Sequence, residues 1–235
     1  MVGKSKVALV TAAGRGLGEA IARALASDGY ELALMSSGGG AGRVAQELGV
    51  AVAVRGSVTD PHDLRHLVEA AADHYGRIDA VVNNTGHPPT GPLLSLTDAD
   101  WQAGFELVLL NVIRMAGLVT PWLRAEGGSI VNISTFSAFE PSESFPISST
   151  LRAALGAYTK LYADAHAAEG IRMNSVLPGY MDSYPETKDL VAQIPAGRFG
   201  KVDELAAVVR FLVSDESTYL TGQNIRVDGG LTRSL

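Results

Sequence analysis

A glycine-rich turn near the start of the chain has the residue types that bind a phosphate group. Thr11–Gly18 (TAAGRGLG) follows the apolar run Lys6–Val10 and precedes a segment with apolar residues at helical spacing. Small residues let the backbone approach a pyrophosphate, and the N-terminus of a helix offers unpaired N–H groups and a positive dipole. An ordinary glycine-rich turn is the alternative, but the strand–turn–helix setting favours a dinucleotide site.

The end of the second predicted strand bears on which dinucleotide would bind. An acidic residue there hydrogen-bonds the ribose 2′-hydroxyl of NAD and repels the 2′-phosphate of NADP. This chain has Ser36 and Ser37 with no acid nearby, and it carries Arg15 in the glycine turn and Arg43 shortly after the strand. Both arginines are equally consistent with solvated surface charge. The missing acid nevertheless predicts NADP(H) in preference to NAD(H).

Alternating strands and helices must position this turn. Short apolar runs predict strands, and longer segments of helical period predict helices. The predicted strands are Lys6–Val10, Glu31–Met35, Val50–Val54, Ile78–Val82, Ser129–Ile133, Arg172–Leu177 and Asn224–Val227. The main predicted helices are Trp101–Leu123, Thr150–Ala168 and Val202–Val213, with a lid-like insert near Tyr180–Pro195. The alternation predicts an α/β fold: one domain over residues 1–235 with a doubly wound, Rossmann-like parallel sheet of about seven strands and helices on both faces.

Composition and charge narrow the classes of function. The chain has 235 residues, a formal net charge of -6 and no dense Lys/Arg cluster, which argues against nucleic acid and anionic membranes as partners. It has no cysteine, so disulfides and thiolate metal sites are excluded. No signal-peptide layout opens the chain, and no apolar run approaches the ~20 residues of a membrane span. We therefore expect a cytoplasmic protein with a small-molecule substrate and no metal site.

Further motifs follow the glycine turn in a fixed order. They are Asn83–Gly86 (NNTG), Asn111, Gly128–Ser134 (GSIVNIS), Pro178-Gly179 and Thr221–Gly230 (TGQNIRVDGG). Together these motifs resemble the short-chain dehydrogenase/reductase superfamily over essentially the whole length. Two positions depart from the family pattern: Ala12 replaces the first glycine, and Ser57, before Val58, stands where an aspartate usually faces the adenine.

The resemblance implies a set of residues that bind the cofactor. They are Thr11, Ala12, Gly14, Arg15, Gly16, Leu17, Gly18, Ser36, Ser37, Ser57, Val58, Asn83, Thr85, Gly86, Arg152, Pro178, Gly179 and Ser183.

The resemblance also implies a catalytic group, in which this chain differs from the family. There a serine and a tyrosine bind the substrate carbonyl, and the tyrosine transfers the proton. A lysine lowers the pKa of the tyrosine and holds the nicotinamide ribose, and a helix asparagine supports a proton-relay water. Counting from the fifth strand puts Thr135, Ser148 and Arg152 at the serine, tyrosine and lysine positions, with Asn111 as the asparagine.

The three substitutions differ in their expected effects. Thr135 keeps a hydroxyl. Arg152, one helical turn from Ser148, keeps the positive charge of the lysine, but its guanidinium is a wide, planar fork rather than a compact ammonium. Ser148 is the serious loss, because removing a positioned general acid typically costs ~10²–10⁴ in rate. Candidate replacement acids are His87, Glu140, Glu143, Asp182 and Tyr184, each of which is alternatively a solvated loop residue. Tyr158 and Tyr162 are expected to be core or interface aromatics.

Three functions remain open from the sequence. The first is an NADP(H)-dependent oxidoreductase with an altered proton path, acting on a carbonyl or imine, where an already charged iminium would need less acid. The second is a non-catalytic protein that senses cofactor or pairs with a partner. The third is a dehalogenase-like enzyme, which the intact glycine turn disfavours.

Helices around Trp101–Leu123 and Thr150–Ala168 form a dimer interface in the resembling family, so we expect a homodimer or homotetramer. The apolar residues Leu151, Leu155, Tyr158 and Tyr162 fit either that interface or packing on the sheet.

Overall fold

The strands form one parallel sheet in the computed structural model, which describes residues 5–234. They are β1 (Val7–Val10), β2 (Glu31–Ser36), β3 (Val52–Arg55), β4 (Ala80–Asn83), β5 (Gly128–Ile133), β6 (Ile171–Pro178) and β7 (Asn224–Val227). Their order is β3-β2-β1-β4-β5-β6-β7, and each neighbouring pair is parallel. Strands β1, β4 and β6 are buried throughout, as expected for a sheet whose two faces are both covered by helices. The predicted domain ends at residues 1 and 235 lie outside the described residues.

Helices cover both faces of this sheet. They are α1 (Gly16–Ser27), α2 (Gly40–Leu48), α3 (Pro61–Tyr75), α4 (Asp98–Phe105), α5 (Asn111–Leu123), α6 (Pro146–His166), α7 (Lys188–Val191) and α8 (Val202–Val213). One apolar core lies between the sheet and α1, α2 and α8. The other lies between the sheet and α3, α5 and α6. The predicted doubly wound, single-domain fold is thus confirmed for the described residues.

The strand order reverses between β1 and β4, and a crevice opens there at the carboxyl ends of the strands. The glycine turn leaves the sheet after β1, and the segment beginning at Asn84 leaves it after β4. Thr135 follows β5, and Gly179 follows β6, at the same edge. The topology therefore brings the predicted site segments together although they are far apart in sequence.

Two helices differ from their predictions. Helix α2 was not predicted, because glycines at 38–40 and 42 give its first turn a weak helical propensity. Helix α6 begins at Pro146 rather than Thr150, since the fixed φ of proline suits the first turn of a helix. The earlier start places Ser148 inside α6, one turn before Arg152, as the spacing predicted.

Helices α4 and α5 are joined by a π-helical turn at Glu106–Leu110 into one helix, Asp98–Leu123. Within residues 5–234 this helix alone is long and apolar enough to cross a membrane, with a mean hydropathy of 1.5. Glu106 and Arg114 interrupt it, so the expectation that no uninterrupted apolar run approaches the ~20 residues of a span still holds. Met115 and Val119 of this helix lie in the core against the sheet, and a buried core helix meets the same two criteria.

Candidate active site

Close backbone contacts shape the glycine turn between β1 and α1. A Cβ on Gly14 would lie 2.9 Å from the Gly40 Cα, and one on Gly18 would lie 2.2 Å from the Ala12 carbonyl oxygen. Only glycine permits this packing. Ala12 itself has φ of 47°, in the left-handed region that favours glycine. The one departure from the glycine pattern is therefore also a point of backbone strain.

Thr11 ties this turn to the end of β4. Its Oγ1 donates to the Asn84 carbonyl at 2.7 Å and accepts from the Asn84 N–H at 2.9 Å. Asn84 Nδ2 in turn donates to the Ala12 carbonyl at 3.4 Å. Asn83 points away, because its Nδ2 donates to Asn132 Oδ1 at 2.9 Å. Thr11 thus supports the crevice from beneath, and Asn84 rather than Asn83 lines it.

A groove of about 790 Å³ runs across the glycine turn. Its lining residues are Ala12, Gly14, Arg15, Gly16, Leu17, Ser36, Ser37, Gly38, Gly40, Asn84, Thr85, Gly86, His87, Ser183 and Tyr184. Arg15 is the N-cap residue of α1 and gives no side-chain cap, so the first-turn N–H groups are left for a ligand. None of the lining side chains is a carboxylate, which suits an anionic group.

Several predicted cofactor residues lie outside the walls of this groove. Besides Thr11 and Asn83, Gly18 packs under the turn, and Val58 is buried. The Ser57 hydroxyl is 2.8 Å from Thr59 Oγ1. Three more, Arg152, Pro178 and Gly179, line a neighbouring cavity instead. The cofactor contacts of all eighteen predicted residues stay predictions.

The two arginines considered for a 2′-phosphate are placed differently. Arg15 lines the groove. Arg43 instead pairs with Glu19 at 2.6 Å and Glu47 at 2.8 Å, and it donates to the Gly14 carbonyl at 3.2 Å. Because its charge is compensated by two carboxylates, Arg43 supports the turn, and Arg15 is the arginine that faces a ligand.

A second, smaller cavity of about 150 Å³ adjoins the groove. Its polar lining comes from Thr85, His87, Ser134, Thr135, Ser148 and Arg152, and its apolar lining includes Phe136, Phe145, Pro178, Tyr180 and Met181. The cavity and the groove share six residues: Leu17, Asn84, Thr85, His87, Ser183 and Tyr184. A ligand in the groove would therefore reach the cavity directly.

Two hydroxyl groups stand at the predicted serine and tyrosine positions of this cavity. Thr135 follows β5 in extended backbone, and its Oγ1 accepts weakly from Ser137 at 3.4–3.5 Å. Ser148 lies in the first turns of α6 and is 6% exposed. The structure brings both hydroxyls to one cavity, as predicted.

Arg152 is the buried cation of the cavity. It is 6% exposed, and its Nη1 donates to the Ile133 carbonyl at the end of β5. Burial lowers the pKa of the Arg152 guanidinium to about 10, so the group remains charged at neutral pH. Within residues 5–234 no carboxylate forms an ion pair with it.

Two buried oxygens near the site have no hydrogen-bond partner among the described residues: Thr85 Oγ1 and Asn111 Oδ1. Thr85 lines both the groove and the cavity. Asn111 is buried as the first residue of α5, directly after the π-helical turn, and does not line the cavity. A π-turn re-aims the residues that follow it and is frequent at functional sites. Unpaired buried polar atoms are rare in proteins, and they are where a ligand or ordered water is expected.

The comparison with known families agrees with this geometry. Residues 11–232 match the family described as enoyl-(acyl carrier protein) reductase. The chain is also 34% identical to the 3-oxoacyl-[acyl-carrier-protein] reductase FabG of Thermotoga maritima, over 97% of this chain and 98% of that protein. The chain belongs to the short-chain dehydrogenase/reductase family.

Another relative and two solved structures show a likeness over nearly the whole chain. An uncharacterised oxidoreductase of Methylorubrum extorquens is 36% identical over 97% of this chain and 98% of that protein. The structure of YwfH, an NADPH-dependent reductase involved in bacilysin biosynthesis, superposes with a TM-score of 0.94 at 25% identity, covering 98% and 100% of the two chains. The structure of a blue fluorescent protein from a metagenomic library, solved in complex with NADPH, superposes with a TM-score of 0.89 at 30% identity. The match covers 97% of this chain and 98% of that chain.

The structure separates the acids that could replace the family tyrosine. His87 and Tyr184 line both the groove and the cavity. Glu140 does not, because its carboxylate accepts from the backbone N–H groups of Arg233 and Ser234, which lowers its pKa. Two others lie outside the cavity wall, since Glu143 is exposed and Asp182 accepts from the N–H of Val202 at 3.0 Å.

The tyrosines further along α6 belong to the core. Tyr162 is buried, and its hydroxyl is 2.6 Å from Thr120 Oγ1. Tyr158 is half-buried beside it, with ring centroids 6.2 Å apart. Burial raises the pKa of both phenols. Neither ring lines the cavity, which agrees with the prediction that they are packing residues.

Sequence reasoning missed most of the apolar cavity wall. Phe136, Phe145 and Tyr180 line it, and the Tyr180 ring lies 5.5 Å from that of Phe136. Asn84 was also missed. Its neighbour Asn83 ends a buried strand, and the alternation of side chains along a strand could have pointed to Asn84. No comparable pattern marks the aromatic residues, which lie in loops or at a helix start.

Proposed function

We propose that this chain is an NADPH-dependent reductase of a small carbonyl or imine compound. The observation that carries the proposal is the set of six residues shared by the groove over the glycine turn and the cavity containing Ser148 and Arg152. A dinucleotide in the groove would end at the cavity, where a substrate would meet it.

The groove fits a dinucleotide by its own construction. Close contacts of Gly14 and Gly18 with the backbone of Gly40 and Ala12 fix the shape of the turn, and the first turn of α1 has unpaired N–H groups. Thr85 Oγ1 lacks a partner among the described residues and could bind a cofactor amide or hydroxyl. Arg15 with Ser36 and Ser37 would receive a 2′-phosphate, since no carboxylate lines that end. When bound, NADPH supplies the hydride.

The polar side chains of the cavity have separate roles in the reaction. The Thr135 and Ser148 hydroxyls donate hydrogen bonds to the substrate oxygen or nitrogen. The Arg152 charge stabilises the negative charge that develops there on reduction, an effect that is strong in a site with little water. Asn111 lies outside the cavity wall and, as the family resemblance implies, would hold an ordered water through its unpaired Oδ1. A proton must still reach the product, and among the wall residues His87 and Tyr184 are the titratable neighbours of that position.

The positive charge of the cavity restricts which class of substrate can bind there. An iminium, already positive, would be placed beside the buried Arg152 cation, which is unfavourable at low dielectric. Neutral carbonyls and neutral imines do not meet this repulsion. An iminium substrate is therefore less favoured by the structure than by the sequence alone.

The alternative is a cofactor-binding protein without turnover, favoured by the aliphatic hydroxyl of Ser148. A fluorescence titration with NADPH, followed by NADPH oxidation with ketones and cyclic imines, separates the two. Gly16→Leu should abolish NADPH binding, because Gly16 lines the groove and a leucine there would project toward Ser183 across it. Gly16 has φ of 55°, which a side chain strains, so the matched control is Gly29→Leu, with φ of 81° and nothing within 4 Å of its added Cβ. Binding without any turnover would support the alternative, and no NADPH binding would contradict both.

We also propose a homodimer or homotetramer in the cytoplasm. Leu155 and Tyr162 are buried within the chain, so they do not form the interface. Leu161 of α6 and Trp122 of α5 remain exposed at 68% and 39% and are available for it. Light scattering would measure the assembly.

A further inference from the structure

Arg152 places a positive charge inside the protein, and among residues 5–234 no negative charge forms an ion pair with it. The side chain is 6% exposed and has one hydrogen bond, from Nη1 to the Ile133 carbonyl. A neutral carbonyl accepts that bond but leaves the charge uncompensated. Burying an unpaired charge is costly, and proteins normally pair such groups. The guanidinium has further N–H donors on the cavity side, in a planar fork that matches a carboxylate.

No acidic side chain compensates Arg152 from the walls of the cavity. Its lining includes no Asp or Glu, although the whole chain is acidic, with a formal net charge of -6. The other charge-bearing group on the wall is His87, whose pKa is lowered by burial and then by Arg152 itself. The carboxylate of Glu140, which follows β5 in the chain, is engaged with the backbone at Arg233 and Ser234. The cavity is thus electrostatically positive.

The rest of the cavity is shaped for a small apolar body. Its volume of about 150 Å³ equals that of an engineered apolar cavity in another protein that binds benzene. Phe136, Phe145, Tyr180 and Tyr184 form its aromatic walls. The cofactor does not supply the missing charge, since a nicotinamide ring is neutral when reduced and positive when oxidised.

We propose that the substrate of this cavity is a small carboxylate, with its anionic group on the Arg152 guanidinium and its apolar body between the aromatic walls. This inference rests on the proposed function in that it uses the same cavity and names the substrate class. Reduction would then occur at a carbonyl or imine adjacent to the carboxylate, so that the one guanidinium binds the carboxylate and also stabilises the negative charge that develops on reduction.

Binding of benzoate and of its neutral isostere benzamide to the NADPH-saturated protein tests the proposal. Isothermal titration calorimetry should show benzoate binding about 10- to 100-fold more tightly, the range expected for hydrogen bonds between charged groups. This comparison uses the unmodified protein, so it does not depend on the folding of any variant. Equal affinities, tighter benzamide, or no saturable binding of benzoate would overturn the proposal.

Three arginine variants locate the binding. Arg152→Met should remove the preference for benzoate, whereas Arg65→Met, the matched control on the remote helix α3, should retain it. Arg15→Met tests the groove as the alternative site, and it is measured with NADPH raised to saturate this variant, whose cofactor affinity is expected to fall. Circular dichroism checks that all three are folded. If benzoate is displaced by NADPH, or if its preference is lost in Arg15→Met and kept in Arg152→Met, the anion site is in the groove and the proposal is wrong. Benzoate binding without turnover of any substrate would instead contradict only the reductase function. Turnover of neutral ketones without benzoate preference would contradict only this inference.

Discussion

The rings of His87 and Tyr184 face each other at the junction of the groove and the cavity, with centroids 6.4 Å apart and an angle of 67° between their planes. Both residues come from loops, one after β4 and the other after β6. Tyr184 is also 6.3 Å from the ring of Tyr180. A substrate in the cavity would lie beside this pair, which makes His87 and Tyr184 the neighbours able to exchange a proton with it.

We expect His87 to donate the proton in reduction. Burial and then the Arg152 charge lower the pKa of its imidazole, so the protonated form is present only below the ordinary value near 6.5. The kcat/KM for reduction should therefore rise as the pH falls through that region. His87→Gln should flatten the profile and reduce kcat/KM at least ~10-fold at low pH.

His66→Gln, at an exposed position of α3, is the control for this variant. A pH profile unchanged in His87→Gln would exclude His87, and Tyr184→Phe would then be measured.

The pH dependence of stability gives a second test of the lowered pKa of His87. A histidine with a lowered pKa binds fewer protons in the folded state, so its contribution to the free energy of unfolding is lost as the pH falls below the unfolded-state value.

Restoring the phenol at position 148 should raise activity on simple ketones. Ser148→Tyr would project a ring into the cavity and supply a weak acid, with an expected gain of up to ~10²–10⁴ in kcat if no other group has replaced it. Adding Arg152→Lys should raise the rate further, because a compact ammonium lowers the pKa of the phenol. Steady-state NADPH oxidation measures both. Ser148→Phe, which adds the ring without the hydroxyl, must not show the gain. Wild-type turnover near ~10 per second on simple ketones would mean that the loss of the tyrosine is already compensated.

Cofactor preference should depend on Ser37 and Arg15. We expect NADPH to bind about 10- to 100-fold more tightly than NADH, from the charged hydrogen bonds a 2′-phosphate makes. Ser37→Asp should reverse this order, because a carboxylate repels the 2′-phosphate and binds the 2′-hydroxyl. Arg15→Met should reduce the preference, whereas Arg65→Met, on the remote helix α3, should not. Equal affinity of the wild type for both cofactors in a calorimetric titration at fixed salt would contradict the prediction.

The strained backbone at Ala12 predicts an unusual response to glycine. Ala→Gly in a helix interior costs about 1 kcal/mol. At Ala12, with φ of 47°, removal of the methyl group relieves a penalty of about 1–2 kcal/mol. Denaturant unfolding should therefore show Ala12→Gly at least as stable as wild type, and Ala24→Gly in α1 less stable by about 1 kcal/mol. Equal destabilisation by the two changes would show that Ala12 is unstrained.

Sequence alone predicted the sheet, and it predicted that Thr135, Ser148 and Arg152 lie together, for identifiable reasons. Buried parallel strands leave uninterrupted apolar runs, and the spacing from Thr135 to Ser148 and Arg152 survives because helix α6 is regular there. Helix α2 was missed because Gly40 is a weak helix former, and its place is set by packing against Gly14. The pairing of Glu140 with the C-terminal backbone depends on contacts distant in sequence, which local patterns do not encode.

The π-helical turn at Glu106–Leu110 also has a consequence for chain length. Such a turn accommodates one residue more than an α-helical turn in about the same rotation, so it absorbs the equivalent of one inserted residue. Deleting one residue from this turn would therefore restore an even α-helix and leave Asn111 in its present direction. Met115 and Val119, now in the core, would also keep their directions. A single-residue deletion here should be tolerated far better than one in the regular helix that follows, and relatives that share the site can differ by one residue at this point.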